Sequence, residues 1–243
     1  MSASSSTSIG VFGFGAFARL MTPHLAPRFR LVVHDPCERA QGAARAAGLR
    51  TVSVEEAARS DVIALAAPLS ALADCLRPLS GLVTAGQTVL DVCSVKEAPA
   101  RLMQDLLPPG VDILATHPMF GPRSARDGLA GHRIVLCPIR GRNWRRIAAF
   151  LRRDLKLDVI VTTPEEHDRQ AALSQGLTHL LARAVETLGT APAIRTPSFD
   201  RLMEALDMVR DDSAGVFDAV TRDNPHVAPM RRKLIEALRT GRG

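Results

Sequence analysis

The chain contains no tyrosine and one tryptophan, and aromatics make up only 4% of its 243 residues. Proteins that grip unpaired nucleotides stack bases on aromatic rings set among basic residues, and that combination is missing. Acidic residues are also in deficit, 25 against 31 lysines and arginines, giving a formal net charge of +6. The excess is mostly arginine scattered along the chain. Its densest stretch, Arg140 to Lys156, carries Ile147, Phe150, Leu151 and Leu155 at helical spacing, which predicts an amphipathic helix with a solvated basic face rather than a nucleic-acid site. Bulk positive charge then favours small anionic ligands. The four cysteines, Cys37, Cys75, Cys93 and Cys137, form no C-x-x-C pair and stand near no histidine at metal-ligand spacing. We expect reduced thiols, no metal site and a cytoplasmic protein. No apolar run approaches the ~20 residues that cross a bilayer, and the small polar residues Met1 to Ser8 predict no secretory signal.

What is present is a recurrence of short apolar runs with helix-compatible segments between them: Ser8–Phe12, Phe29–His34, Asp61–Ala67, Thr88–Val92, Val111–Ala115, Arg133–Pro138 and Asp158–Val161. Strands of this length alternating with helices predict an α/β fold, a Rossmann-type doubly wound parallel sheet covered on both faces. After Pro164 the pattern changes to one long helical segment, Glu165 to Leu188. Its apolar stripe is Leu173, Leu177, Leu180, Leu181, Ala184, Val185 and Leu188. Gly189 ends it, and further helices are expected around Phe199–Val209 and Pro229–Leu238. The predicted division is a dinucleotide-binding domain over residues 1–164 and a smaller all-helical domain over 165–243.

Directly after the first strand, Gly13-Phe14-Gly15-Ala16-Phe17-Ala18 fits G-x-G-x-x-G/A. The first glycine suits a tight turn, the second leaves room for a pyrophosphate, and the third small residue lets helix pack on strand. The following helix N-terminus supplies free N–H groups for the phosphates. Asp35, 22 residues after Gly13, ends the second strand, where a carboxylate accepts ribose hydroxyls and repels a 2′-phosphate. NAD is therefore expected over NADP, with Arg39 close enough to bind a phosphate if its loop turns inward. Ala67 and Pro68, at the exit of the third strand, should pass near the cofactor, although an ordinary strand-to-loop exit reads the same way.

The fourth strand runs out into Asp91-Val92-Cys93-Ser94-Val95-Lys96, and the fifth into His117-Pro118-Met119-Phe120-Gly121-Pro122. Parallel strands end at the same sheet edge, so Ser94 and His117 are expected to face one crevice, a pairing suited to taking a proton from an alcohol as hydride departs. Two other readings stand: Ser94 as the cap of the next helix, and Lys96 as a surface cation. Further along, Gln175, His179 and Arg183 fall on the polar face opposite the leucine stripe, a face that solvent alone could explain.

These blocks together resemble the prephenate and arogenate dehydrogenases of tyrosine biosynthesis. The similarity rests on the dinucleotide turn, Asp91–Lys96, Thr116–Pro122, and Glu166-His167-Asp168 followed by Ser174–His179. It covers roughly residues 8 to 220, and the middle blocks are similar to those of the plant-type arogenate enzymes. The resemblance implies an NAD-dependent oxidative decarboxylation that leaves an aromatic 4-hydroxyphenyl product. It implies His117 as the group that polarises the 4-hydroxyl, Ser94 as its aid, His179 as a substrate ligand from the second domain, and His167-Asp168 as structural. It also implies a homodimer formed through the helical domain.

Two positions depart from the family pattern. Members acting on prephenate commonly carry an arginine five residues after an aromatic in the helical domain, and that count from Phe199 reaches Glu204. A glutamate usual after the histidine motif is replaced by Arg123. An exchanged carboxylate clamp, with Arg123 as the cation, is one reading; a substrate held differently is another. The competing functions are a generic Rossmann dehydrogenase of a small hydroxy acid and a catalytically silent NAD-binding regulator.

Overall fold

The computed structural model describes residues 7–189 and 192–241. The chain divides into two compact units, Met1–Pro164 and Glu165–Gly243.

The first unit is built on an eight-stranded sheet in the order β3-β2-β1-β4-β5-β6-β7-β8. Its elements are β1 (Ser8–Phe12), α1 (Ala16–Leu25), β2 (Arg30–His34), α2 (Glu38–Ala46), β3 (Arg50–Thr51), α3 (Val54–Ala57), β4 (Val62–Leu65) and α4 (Leu69–Leu79). They continue with β5 (Thr88–Asp91), α5 (Glu97–Leu106), β6 (Asp112–Pro118), β7 (Arg133–Arg140), α6 (Trp144–Arg153) and β8 (Asp158–Val161). Side chains that alternate along each strand feed two opposite cores. Ile63, Leu65, Val89 and Ile113 pack with Leu72, Leu76 and Leu79 of α4 and Met103 of α5. On the other face, Ile9, Val11 and Val33 pack with Ala18 of α1 and Ala44 of α2, and Leu114 and Leu136 pack with Ala148 and Leu151 of α6. The basic stretch forms that amphipathic helix, with Arg145, Arg146, Arg152 and Arg153 exposed.

The doubly wound sheet is parallel from β3 through β6, and three details differ from expectation. β7 runs antiparallel to β6, with His117 opposite Val135, because no helix crosses over between them; the chain returns through the turns of segment 119–132. β8 is again parallel to β7. The short edge strand β3 lies in a segment without an apolar run. Finally, β6 continues through His117 and Pro118 instead of stopping at Ala115, so the histidine is the penultimate residue of a strand.

The second unit is all helical: α7 (Pro164–Ala171), a π-helical turn (Ala172–Gly176), α8 (Leu177–Glu186), α9 (Pro197–Arg210), α10 (Ala214–Asp218), a second π-turn (Ala219–Asp223) and α11 (Val227–Thr240). The expected single helix over Glu165 to Leu188 is thus interrupted. A π-turn carries one residue more than an α-turn, which rotates everything after it by about 100°. The faces change accordingly. His179, expected on a polar face, is 3% exposed, while Leu173 and Leu188 of the apolar stripe are 58% and 83% exposed.

Candidate active site

The dinucleotide turn is built as its glycines require. Gly13 has φ +96°, and a Cβ there would stand 2.7 Å from the Ala66 carbonyl oxygen, so only glycine lets the exit of β4 pass beside the turn. A Cβ on Gly15 would meet nothing within 4 Å. Gly15 is the N-cap of α1 and offers no side chain to its first turn, so those N–H groups face open space where an anion is stabilised. Asp35 follows β2 and is buried. One of its carboxylate oxygens accepts the Phe14 N–H at 2.7 Å and the other the Cys37 N–H at 2.8 Å, which ties the end of β2 to the turn. Phe14 enters this arrangement through its backbone alone; its ring is buried in the core. Phe17 is half-buried, its ring centroid 6.0 Å from that of Phe120, so the cofactor turn touches the segment that follows His117. Ala67 accepts a 3.6 Å contact from the Cys93 thiol, and Pro68 is the N-cap of α4. Arg39 is exposed. A dinucleotide fits this donor set: room at Gly15, an uncapped helix start and a fixed carboxylate.

The residues predicted to react, Ser94 and His117, follow β5 and β6 where these strands end side by side, with Asp91 opposite Ala115 in parallel register. Ser94 lies three residues beyond the first and His117 two beyond the second, at the same edge of the sheet. Ser94 is half-buried. It does not cap α5, whose N-cap residue is Lys96. His117 is 3% exposed.

Beneath them is a cluster that the sequence reading did not assign to the site. Lys96 is not a surface cation: it and Asp91 are fully buried. The Lys96 ammonium donates to an Asp91 carboxylate oxygen and, at 2.5 Å, to the Thr116 carbonyl. Asp91 also accepts the backbone N–H groups of Cys93 at 2.9 Å and Thr116 at 3.3 Å. The Thr116 hydroxyl donates to the Asp91 carbonyl at 2.5 Å. A buried charge of either sign is tolerable only when paired and hydrogen-bonded, and this pair uses its bonds to clamp the residue before His117 to the strand before Ser94. The signal was present as an acid and a base five residues apart across the exit of β5. Between them Cys93 is buried, and burial followed by the Asp91 charge pushes its thiol far up, leaving it unreactive.

Arg123 is exposed in the turn after the histidine motif, where the Gly121 N–H donates to the Ser124 hydroxyl at 3.0 Å. Glu204 belongs to α9 of the other unit. In that unit His179 is held on both sides. Its Nδ1 is 2.9 Å from the Gln175 backbone carbonyl and its Nε2 is 3.0 Å from the Asp212 carboxylate. Arg183 is exposed, its guanidinium 4.9 Å over the Phe217 ring. His167 and Asp168 are buried with 2.7 Å between ring nitrogen and carboxylate. No group of metal-ligating side chains occurs among the described residues.

Residues 24–161 match the family model for the nucleotide-binding domain of prephenate dehydrogenase. The chain belongs to the prephenate dehydrogenase family. A relative from Methanocaldococcus jannaschii described as a probable arogenate/prephenate dehydrogenase is 31% identical over 131 residues, 52% of this chain and 29% of that protein. The chloroplastic arogenate dehydrogenase 2 of Arabidopsis thaliana is 29% identical over 243 residues, 95% of this chain and 68% of that protein. The chain therefore spans less than a third of the archaeal relative and about two thirds of the plant one. The fold is shared with the prephenate dehydrogenase of A. aeolicus, solved with hydroxyphenyl propionate and NAD+ (TM-score 0.77, 18% identity, 98% of this chain and 90% of that one). It is also shared with Synechocystis arogenate dehydrogenase (TM-score 0.64, 21% identity, 97% and 88%). In this chain the dinucleotide turn and the His117 motif fall in one compact unit.

Proposed function

We propose that the chain carries out the NAD-dependent oxidative decarboxylation of prephenate or arogenate, forming an aromatic 4-hydroxyphenyl product in tyrosine biosynthesis. The reading rests above all on His117, buried at the carboxyl end of β6 beside the Ser94 end of β5, at the sheet edge that also carries the Gly13–Phe17 turn. Gly15 leaves room for the pyrophosphate, the first-turn N–H groups of α1 take its charge, and the Asp35 carboxylate accepts ribose hydroxyls and disfavours NADP. NAD, when bound, takes up the hydride. His117 accepts the hydrogen bond of the substrate 4-hydroxyl and polarises it, with Ser94 fixing that hydroxyl, as hydride leaves the same carbon. The bond to the ring carboxylate breaks, carbon dioxide departs, and aromatisation drives the step. Gln175, His179, Arg123 and Arg183 remain proposed substrate residues on the strength of the resemblance.

The test is to mix purified protein with NAD and either compound and follow the reduced cofactor. His117→Asn should keep NAD affinity and lose about 10²- to 10⁴-fold in rate; near-full rate in this variant would refute the assignment.

We read the helical unit as the surface of a homodimer, a reading supported by the exposed apolar side chains of Leu173, Leu188, Leu202, Met208 and Leu238. Light scattering should give twice the mass of the chain. No disulfide joins the cysteines among the described residues, which accords with the reducing cytoplasm.

A further inference from the structure

The two faces of the central strands are not covered alike. On one face of β4 and β5, Ile63, Leu65 and Val89 are fully buried beneath α4 and α5. On the other, Val62, Ala64 and Leu90, with Ala66 and Val92 just beyond the strand ends, are only half-buried, although strands in the middle of a parallel sheet are ordinarily covered on both sides. The topology accounts for the gap. On that face α1 packs over β1 and β2, and α6 packs over β6 and β7, whereas the helices that follow β4 and β5 lie on the opposite face. Between α1 and α6 a trough is left, and Ala64 and Ala66 are too short to close it.

The trough holds a cavity of about 120 Å³ with walls almost wholly of carbon. Ile9, Val62, Ala64 and Leu90 line it from the sheet, Met21 and Thr22 from α1, and Ile147 and Leu151 from α6. At its far end stand Thr116 and Pro118, the neighbours of His117. The Thr116 hydroxyl is turned to the Asp91 carbonyl, and no charged side chain lines the walls. Size and chemistry together select the occupant. A space this small cannot admit a helix, which is about 10 Å across, but an apolar cavity of about 150 Å³ stays dry and takes up benzene. A charged molecule would lose its hydration and find no partner. We propose that this cavity is a binding site for a small uncharged apolar molecule of about one six-membered ring, reached past the half-buried side chains of β4 and β5. Neither Ser94 nor His117 lines it, so its occupant is not the substrate of the reaction proposed above. The site lies wholly in the first unit, and it can fail or stand without the decarboxylation reading.

Toluene is the probe, and benzoate, the same ring with a carboxylate, is its charged counterpart. Titration calorimetry on the full chain should show one toluene per chain with a Kd on the order of 1 mM or below. Benzoate should bind at least about 100-fold more weakly, because the walls offer its charge no partner. The location is read by methyl NMR: toluene should shift the resonances of Ile9, Met21 and Ile147 and leave those of Leu72 and Leu76, beneath the opposite face, where they are. Absence of saturable binding, equal binding of benzoate, or shifts confined to residues outside the walls overturns the proposal. Ala64→Leu carries a larger side chain into the trough and should weaken toluene at least about tenfold, with NAD affinity unchanged as the sign of a folded protein. Undiminished toluene binding in this variant overturns the proposal as well. If Ala64→Leu does not fold, Thr22→Leu fills the same space from the helix side and is held to the same outcomes.

Discussion

At the carboxyl ends of β5 and β6, Asp91, Lys96 and Thr116 hold one another through bonds that use both carboxylate oxygens of the acid. In the helical unit, the Gln175 side chain keeps an enclosed oxygen with no partner. The first cluster is polar in order to be rigid: its hydrogen bonds end inside the protein and fix the backbone on which His117 stands. The second holds its turn with His179 and Asp212 but leaves one acceptor unmatched. Saturated buried groups therefore point to positioning, and the unsaturated one holds nothing in place.

Three measurements could break or sharpen this contrast. The largest effects belong to the saturated side. Lys96→Met leaves a fully buried Asp91 carboxylate without its cation and should lower stability by roughly 3–5 kcal/mol, read from the denaturant midpoint. Combining it with Asp91→Leu should cost less than the sum of the two single changes. If Lys96→Met is nearly neutral, the cluster is not the clamp described. Next comes Asp35, whose carboxylate is held by two backbone N–H groups yet keeps lone pairs for a ligand, and so stands between the two extremes. Asp35→Asn should narrow the preference for NAD over NADP by about 10-fold, on the order of one hydrogen bond to a charged group, measured as the ratio of kcat/KM values. The smallest effect is at the rim, where Asp61 accepts both the backbone N–H and the hydroxyl of Ser8, each at 2.7 Å. These bonds lower the Asp61 pKa from its usual 3.8. Because the folded value is the lower one, the stabilisation is present above pH 3.8 and is lost as pH falls through the depressed value. Ser8→Ala should flatten that acid limb of the stability curve by under about 1 kcal/mol, since solvent screens so exposed a carboxylate. An unchanged acid limb would show that hydrogen bonds made at the rim contribute nothing measurable.

Much of the first unit was legible because strands buried on both faces read as uninterrupted apolar runs, and the turn between β1 and α1 permits few residues other than glycine. The sense of β7 was not legible. Its pattern is that of any buried strand, and direction is decided by the connection, which here lacks a crossover helix. β3 was missed because Arg50-Thr51 gains its strand geometry from pairing with Val32 and Val33, not from its own composition. Lys96 looked like a surface residue because lysine usually is one; its burial depends on the chain turning back toward Asp91. The π-turn was invisible for a similar reason. No residue type marks it, and reading Glu165 to Leu188 with a constant 3.6-residue period placed His179 on the wrong side.

The extra residue in Ala172–Gly176 also bears on how this helix could change over generations. Deleting any one residue of that turn would let α7 and α8 join as a continuous α-helix and would swing every later side chain of α8 by about 100°. His179 would leave Asp212, and a leucine of the exposed stripe would move toward its place. A single codon lost or gained here exchanges an entire helix face, an alteration that no point substitution in α8 could reproduce.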